Sequence, residues 1–507
     1  MSTANGTHSP TLAEFLRLGA QRWPDQPWCR TPAGESSRRE AVEAGLRVAA
    51  GLARRDVRPG EHVIVVLPNS LDFVHAFFGS VFARAVTVAV NPRAAGTELP
   101  AVEQEIRPKV IIAADGARDL PAEADIVALA DLLAEDPLDW SAVGGAAPED
   151  PVSFIQSSGS TGRPKFVIET NRMYTMAAEG YPFWLGLDAD DVLLTTLPLS
   201  HLNAQVYSLL GSFGCGAQLA LLPRFSASTF WDYVERYGAT QFNAIGAMVE
   251  ALMSRERTAA EVRNKVRICY SAPAPPTDRH REIEDRFGLR LVIGYALSES
   301  PYGLIVPVDE PVVPESMGVP RQHPVLGTVN QARLVDAAGD VVGDGVRGEL
   351  ELRNPAISPG YFGNAEESAR ILHDDWLRTG DLAIRDAEGH YHFAGRVKEM
   401  IRHKGENLSP VEVENVLEAH PGVTASAVIG VPSPMSEEDV KAFVVLAADA
   451  DVTAEDLGRW CADRLPPYKA PRYIELVDRL PLTETQKVAK KQLPRERTEN
   501  ETDLVSR

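Results

Sequence analysis

Cysteine is scarce. The 507-residue chain has four (Cys29, Cys215, Cys269 and Cys461), scattered along its length and without a C-x-x-C pair. That spacing argues against a zinc centre or a secreted disulfide framework and fits a reducing compartment. Positive charge is in deficit as well: 51 Lys and Arg stand against 71 Asp and Glu, a formal net charge of −20. A mean field of that sign repels phosphate backbones and speaks against sequence-independent nucleic-acid binding. No apolar run approaches the roughly 18 residues of a membrane helix. The start, MSTANGTHSPTLAEFL, has neither a basic n-region nor an apolar h-region. Together these absences predict a cytoplasmic location with no nucleic-acid partner and no membrane span. There is no internal repeat. The remainder is ordinary globular composition, 44% hydrophobic and 24% charged, which excludes a disordered chain.

Short β-branched runs alternate with helical periods. His62–Leu67 reads as a buried strand, and Ser70 caps a helix with Val74, Phe77, Phe78 and Val81 on one face. Val86–Val90 and Val110–Ala113 continue that series. A second series runs through Val192–Leu197, Gln218–Leu222, Gln241–Ala244, Arg267–Tyr270 and Leu289–Gly294, separated by helical stretches at Ser226–Tyr237 and Ala247–Ser254. Such alternation predicts parallel or mixed sheets covered by helices. Asp136–Pro151 has no period and reads as the connection between two subdomains. Gly327–Leu352 reads as a small β-rich subdomain. After Gly395 the pattern changes again: Ser409-Pro410-Val411-Glu412 reads as a capping box, followed by two strand-like runs and a helix around Ala454–Arg464. The expected architecture is α/β: residues 1–395 form a large N-terminal domain of two α/β subdomains plus a small β subdomain. Residues 396–507 form a small, mobile α+β C-terminal domain.

The most informative segment is Ser157-Ser158-Gly159-Ser160-Thr161-Gly162-Arg163-Pro164-Lys165, which follows a strand-like run. Glycines let backbone amides approach an anion, hydroxyls donate to phosphate oxygens, and cations balance charge. It is not a Walker A loop, since the glycine spacing differs and Phe166 follows the lysine. On its own it reads as a phosphate cradle or as a flexible surface turn.

SSGSTGRPK resembles the phosphate-binding loop of the adenylate-forming superfamily, which includes acyl-CoA synthetases, nonribosomal-peptide adenylation domains and beetle luciferases. Four further blocks follow in the superfamily's order. Gly294-Tyr295-Ala296-Leu297-Ser298-Glu299 is similar to Y-G-x-T-E, and Leu377-Arg378-Thr379-Gly380-Asp381 to Y-R-T-G-D. Gly395-Arg396-Val397-Lys398-Glu399-Met400-Ile401, running on through Gly405 to Pro410, resembles the hinge block. Pro481-Leu482-Thr483-Glu484-Thr485-Gln486-Lys487 resembles P-x-T-x-x-G-K. The flanking LPNSLDFVHAFFG and VKAFVVL look most like the acyl-CoA synthetase branch.

The resemblance implies an AMP-forming ligase that activates a small or aromatic carboxylic acid with ATP and magnesium and passes it to CoA. It assigns Ser157, Ser158, Gly159, Ser160, Thr161, Gly162 and Lys165 to the phosphates, and Ser271, Ala272 and Tyr295 to nucleotide binding. Asp381 takes the ribose, since a carboxylate has acceptors for both hydroxyls, and Arg396 donates to the nucleotide. Glu299 becomes the magnesium ligand, as a hard cation wants oxygen donors. Lys487, His201 and Ser298 become catalytic, and Lys398 the hinge about which the small domain swivels between half-reactions. Each has a plainer alternative: a turn Asp, surface Arg and Glu, a core Tyr, a structural His, and a solvated basic tail of Lys487, Lys490 and Lys491.

The chain also departs from the superfamily pattern. Phe166 and Gln486 replace glycines, Glu437 precedes Glu438 where a glycine is usual, and Gly246-Ala247 stands where many relatives have proline. Such departures leave open an ATP-dependent diazotase that adenylates nitrite for transfer to an aromatic amine, an adenylate-to-amine ligase, or a non-catalytic nucleotide-binding protein. A homodimer is a superfamily-level expectation. The acid pocket is expected to draw on Tyr181–Trp184, His201–Asn203, Asn243–Met248, Tyr270–Ala274 and Tyr295–Tyr302.

Overall fold

The computed structural model describes residues 8–114, 120, 122–157, 165–403, 406–433, 437–448, 450–482 and 488–504. Packing divides the chain into two units, Met1–Ala332 with Leu352–Arg378, and Arg333–Glu351 with Thr379–Arg507.

In the first unit, one sheet runs in the order Asp125–Ala128, Val110–Ala113, His62–Val66, Val86–Ala89, Pro151–Ser157, Lys165–Thr170. Only the last pairing is antiparallel. Its inner parallel strands His62–Val66, Val86–Ala89 and Val110–Ala113 are short β-branched runs buried on both faces, as helix-covered parallel sheets require. Ser70 caps the helix Leu71–Phe82, its Oγ accepting the Phe73 N–H at 3.2 Å. A second parallel set orders Gln218–Leu221, Val192–Thr195, Gln241–Asn243, Ile268–Ser271 and Arg290–Leu297. The last of these turns back antiparallel as Ser300–Ile305. Phe166 is buried with Ile64, Val86 and Val88, on the face of its strand opposite Lys165, Val167 and Glu169. The bulky residue in place of a glycine therefore fills core.

The second unit has a four-stranded sheet, Val423–Pro432, Glu438–Leu446, Tyr473–Leu476 and Glu501–Asp503. The helices Pro410–Glu418 and Ala454–Ala462 pack on it through Val413, Leu417, Leu457 and Cys461. Lys441, in the middle of that sheet, is buried between Glu475 at 2.9 Å and Glu501 at 2.6 Å. The expected capping box at Ser409 does not form. Ser409 is the N-cap and Pro410 opens the helix, but the hydroxyl makes no cap hydrogen bond. It is wedged against the backbone of Gly395, where a Cβ would come within 2.1 Å of it. Glu412 instead pairs with Arg347 at 3.2 Å and with Lys469. A capping box does form at Thr453 and Asp456.

Candidate active site

In the first unit, the strands that flank the Ser/Gly-rich loop are in register, Ser157 opposite Lys165. Ser158, Gly159, Ser160, Thr161 and Gly162 lie outside the described residues. Lys165 opens its strand and is largely buried, with Nζ 2.5 Å from Glu367 Oε1 and 5.2 Å from the centre of the Tyr361 ring. Ser298 and Glu299 form the two-residue turn between Arg290–Leu297 and Ser300–Ile305, closed by the Leu297–Ser300 pair. Glu299 Oε1 accepts the Tyr361 O–H at 2.5 Å, and its carbonyl accepts the Ser358 N–H at 2.9 Å. Lys165, Tyr361 and Glu299 are thus brought together around one aromatic ring. Burial, with the Glu299 charge second, pushes the Tyr361 phenol above its ordinary range, so it remains a donor.

Sequence reasoning missed Glu169. It lies on the Lys165 face of its strand, fully buried, and neither carboxylate oxygen has a hydrogen-bond partner. Burial, reinforced by the Glu299 charge, raises its carboxyl well above the usual range. A strand pattern alone could have marked it, as an acid following the apolar run Phe166-Val167-Ile168 in KFVIET. The donor set suits a hard divalent cation: Glu299 is partly exposed on a turn, and its charge reaches the buried Glu169 carboxyl.

The residues expected around the acid also assemble. Asn243 Nδ2 donates to Asn203 Oδ1 at 2.7 Å, and Tyr181 O–H donates to Asn243 Oδ1. Trp184 meets Tyr302 edge-on at 4.9 Å, and Tyr181 meets Tyr270 at 5.5 Å. Phe183 is turned to solvent. His201, Tyr295 and Ala274 are partly exposed, Ala272 is exposed, and Ser271 is buried at the end of its strand. Tyr207, Gln241 and Arg321 belong to the same cluster and were not read from the sequence. Tyr207 comes inward from a π-helix, Asn203–Leu210, and Arg321 from a Pro-rich segment that reads as surface.

In the second unit, Asp381 and Arg396 sit opposite each other on a hairpin, Arg396 Nε donating to Asp381 Oδ1 at 3.0 Å. Asp381 is buried and its N–H donates to Thr379 Oγ1 at 3.1 Å. Lys398 lies in the turn Val397–Glu399 directly after that strand. Lys487, Gln486 and Gly405 fall outside the described residues. Lys490 is no solvated tail: it lies 2.7 Å from Glu414, whose carboxyl burial pushes up against the opposing pull of this lysine.

One further cluster is structural. His8 Nδ1 lies 2.8 Å and His323 Nε2 3.3 Å from Glu179 Oε2. His323 Nδ1 accepts the N–H groups of Val325 and Leu326, so Nε2 carries the proton and offers no lone pair to a metal.

The family model described as AMP-binding enzyme matches residues 16–362, and that described as AMP-binding enzyme C-terminal domain matches residues 412–487. A feruloyl-CoA synthase of an Amycolatopsis species is 32% identical over 472 residues, 91% of this chain and 93% of that protein. The crystal structure of ATP-bound MatB from Rhodopseudomonas palustris superposes with a TM-score of 0.87 at 25% identity, covering 94% of this chain and 97% of that one. A benzoate CoA ligase from Burkholderia xenovorans LB400 gives 0.85 at 26%, covering 95% and 99%.

Proposed function

The chain belongs to the AMP-binding enzyme family of adenylate-forming ligases, and on that premise we propose that it joins a carboxylic acid to CoA through an acyl-adenylate. The observation that carries this reading is the Lys165–Tyr361–Glu299 arrangement beside the flanks of the Ser/Gly-rich loop. It is a cation, a phenol and a carboxylate brought together from the end strand of one sheet, the segment around Tyr361 and a turn of the other sheet, an arrangement suited to a triphosphate.

In this reading the acid oxygen attacks the α-phosphorus of ATP, the bond from that phosphorus to the β-bridging oxygen breaks, and pyrophosphate leaves. The CoA thiol then attacks the acyl carbon and AMP departs with the electron pair. Adenylation serves to convert a poor leaving group into a good one. Lys165 binds triphosphate oxygens, giving up part of its hold on Glu367. Glu299 would hold a magnesium ion, which would neutralise phosphate charge. The Tyr361 O–H fixes the direction of the Glu299 carboxylate. Asp381 accepts from the ribose hydroxyls, oriented by the Arg396 hydrogen bond from the neighbouring strand. Ser298 donates to the α-phosphate, and His201 stands at the entrance to the acid. Lys487 bridges the attacking carboxylate and the α-phosphate, a charge arrangement present only in the transition state.

The division of labour is testable. Lys487→Ala should lower acid-dependent exchange of labelled pyrophosphate into ATP by roughly 100- to 1,000-fold. It should leave thioester formation from a supplied acyl-adenylate near the wild-type rate. Equal loss of both half-reactions would refute this role.

A further inference from the structure

Behind the partly exposed rim of His201, Asn203, Ala274 and Tyr295, the expected acid pocket is solid. Tyr181 stacks on Tyr207 at 4.9 Å with an interplanar angle of 16°. Tyr270 meets Tyr207 edge-on at 5.7 Å. The guanidinium of Arg321 lies 4.5 Å over Trp184 and ties the group together. Its Nη1 donates to the Tyr207 hydroxyl at 2.6 Å and to the Pro301 carbonyl at 2.9 Å, its Nη2 to the Tyr270 hydroxyl, and its Nε to the Leu304 carbonyl at 3.0 Å. The Tyr207 hydroxyl donates to the same Pro301 carbonyl at 2.5 Å, two residues beyond Glu299. Tyr270 is pressed on Gly294, where a Cβ would come within 2.3 Å of its hydroxyl.

Arg321, Tyr181 and Tyr302 have 0% accessible surface, and Tyr207 and Tyr270 have 3% each. With no surface open even to water at Arg321, Tyr181 or Tyr302, the cluster as packed holds no room for a ring behind Tyr207 and Tyr270. Moving the plug aside is costly. It would strip a buried guanidinium of its phenol and carbonyl acceptors, and among the described residues no carboxylate pairs with it.

We propose that Tyr207, Tyr270 and Arg321 close the acid pocket just behind its mouth, so that the acid adenylated here is a small trigonal oxyanion, carboxylate or inorganic, of formate to acetate size. This rests on the adenylate-forming reading above. Tyr207 and Tyr270 set the floor. Arg321 is a positioning residue, acting through their hydroxyls, and its buried positive charge favours an anion at that floor over a neutral acid.

The test is acid-dependent ATP–pyrophosphate exchange, with pyrophosphate release as the second readout. The panel is formate, acetate and nitrite against benzoate and ferulate, with wild type, Tyr207→Ser and Tyr207→Ser/Arg321→Met. Wild type should turn over one or more of the small anions and neither aryl acid; nitrite alone or carboxylates alone identifies the source. Tyr207→Ser should raise kcat/KM for benzoate relative to acetate by roughly a hundredfold, a shift in ratio that simple loss of stability does not produce. The double variant also removes the cation that loses its Tyr207 acceptor in the single one, and should show the same change in ratio. Wild-type activity on benzoate or ferulate at least equal to that on the small anions overturns the inference and leaves the adenylation reading standing. Absence of exchange with every acid, together with no ATP binding by calorimetry, overturns both.

Discussion

The two units each bury a cation, and they solvate it differently. In the second unit Lys441 lies between the carboxylates of Glu475 and Glu501, a charge balanced on the spot. In the first unit Arg321 is surrounded by two phenols, two carbonyls and an indole face. Balanced ion pairs hold a fold together and leave little field outside themselves. A guanidinium held only by neutral dipoles keeps its field, and here it does so beside the turn that carries Glu299. The contrast separates a structural charge from one that conditions a site.

Substitutions at the two cations sharpen this contrast. Lys441→Met leaves the buried Glu475 without its cation and Glu501 with Arg497 alone, and denaturant unfolding should show a loss of about 3–5 kcal/mol. Pyrophosphate exchange per folded molecule should be unchanged. Arg321→Met leaves only neutral acceptors unpaired and should lose less, about 1–3 kcal/mol. It should alter the ratio of activities across acids of different size. If Arg321→Met costs more stability than Lys441→Met and leaves the acid profile intact, the contrast is wrong.

A smaller effect is expected at Glu169. Its folded-state carboxyl is raised above the ordinary value of 4.5 by burial and then by Glu299. The protonated form is therefore favoured in the fold. The stability it contributes is fully present below the unfolded value and is lost as pH rises towards the folded one. Glu169→Gln should flatten that decline. Thermal melting of wild type and variant should diverge progressively as pH rises above the ordinary carboxyl value of 4.5, the variant melting higher at the upper end. Parallel melting curves across that range would place the charge elsewhere.

Much of the fold was legible because its signals are local. The runs His62–Val66, Val86–Ala89 and Val110–Ala113 are β-branched and too short for helices, and they are strands. The pattern in the Leu71–Phe82 helix and its Ser70 cap needs no tertiary information. The failed capping box at Ser409 shows the limit: the residue types are right, but close approach of Gly395, fourteen positions earlier in the chain, takes the space the hydroxyl needs. The expected site residues were marked by blocks of contiguous sequence. Those that went unmarked, Tyr207, Glu169 and Arg321, are single residues whose roles come from long-range burial. An arginine between Pro320 and Gln322 looks solvated in the string, and only the packing of three aromatic rings around it reveals otherwise.

The attack of a carboxylate oxygen on the α-phosphorus is the claim on which the chemistry turns. It is tested most directly by supplying an accepted carboxylate labelled with heavy oxygen, together with ATP and CoA, and weighing the nucleotide product. The account predicts AMP carrying a single heavy oxygen on its phosphate. Unlabelled AMP, or ADP with labelled inorganic phosphate, would contradict it.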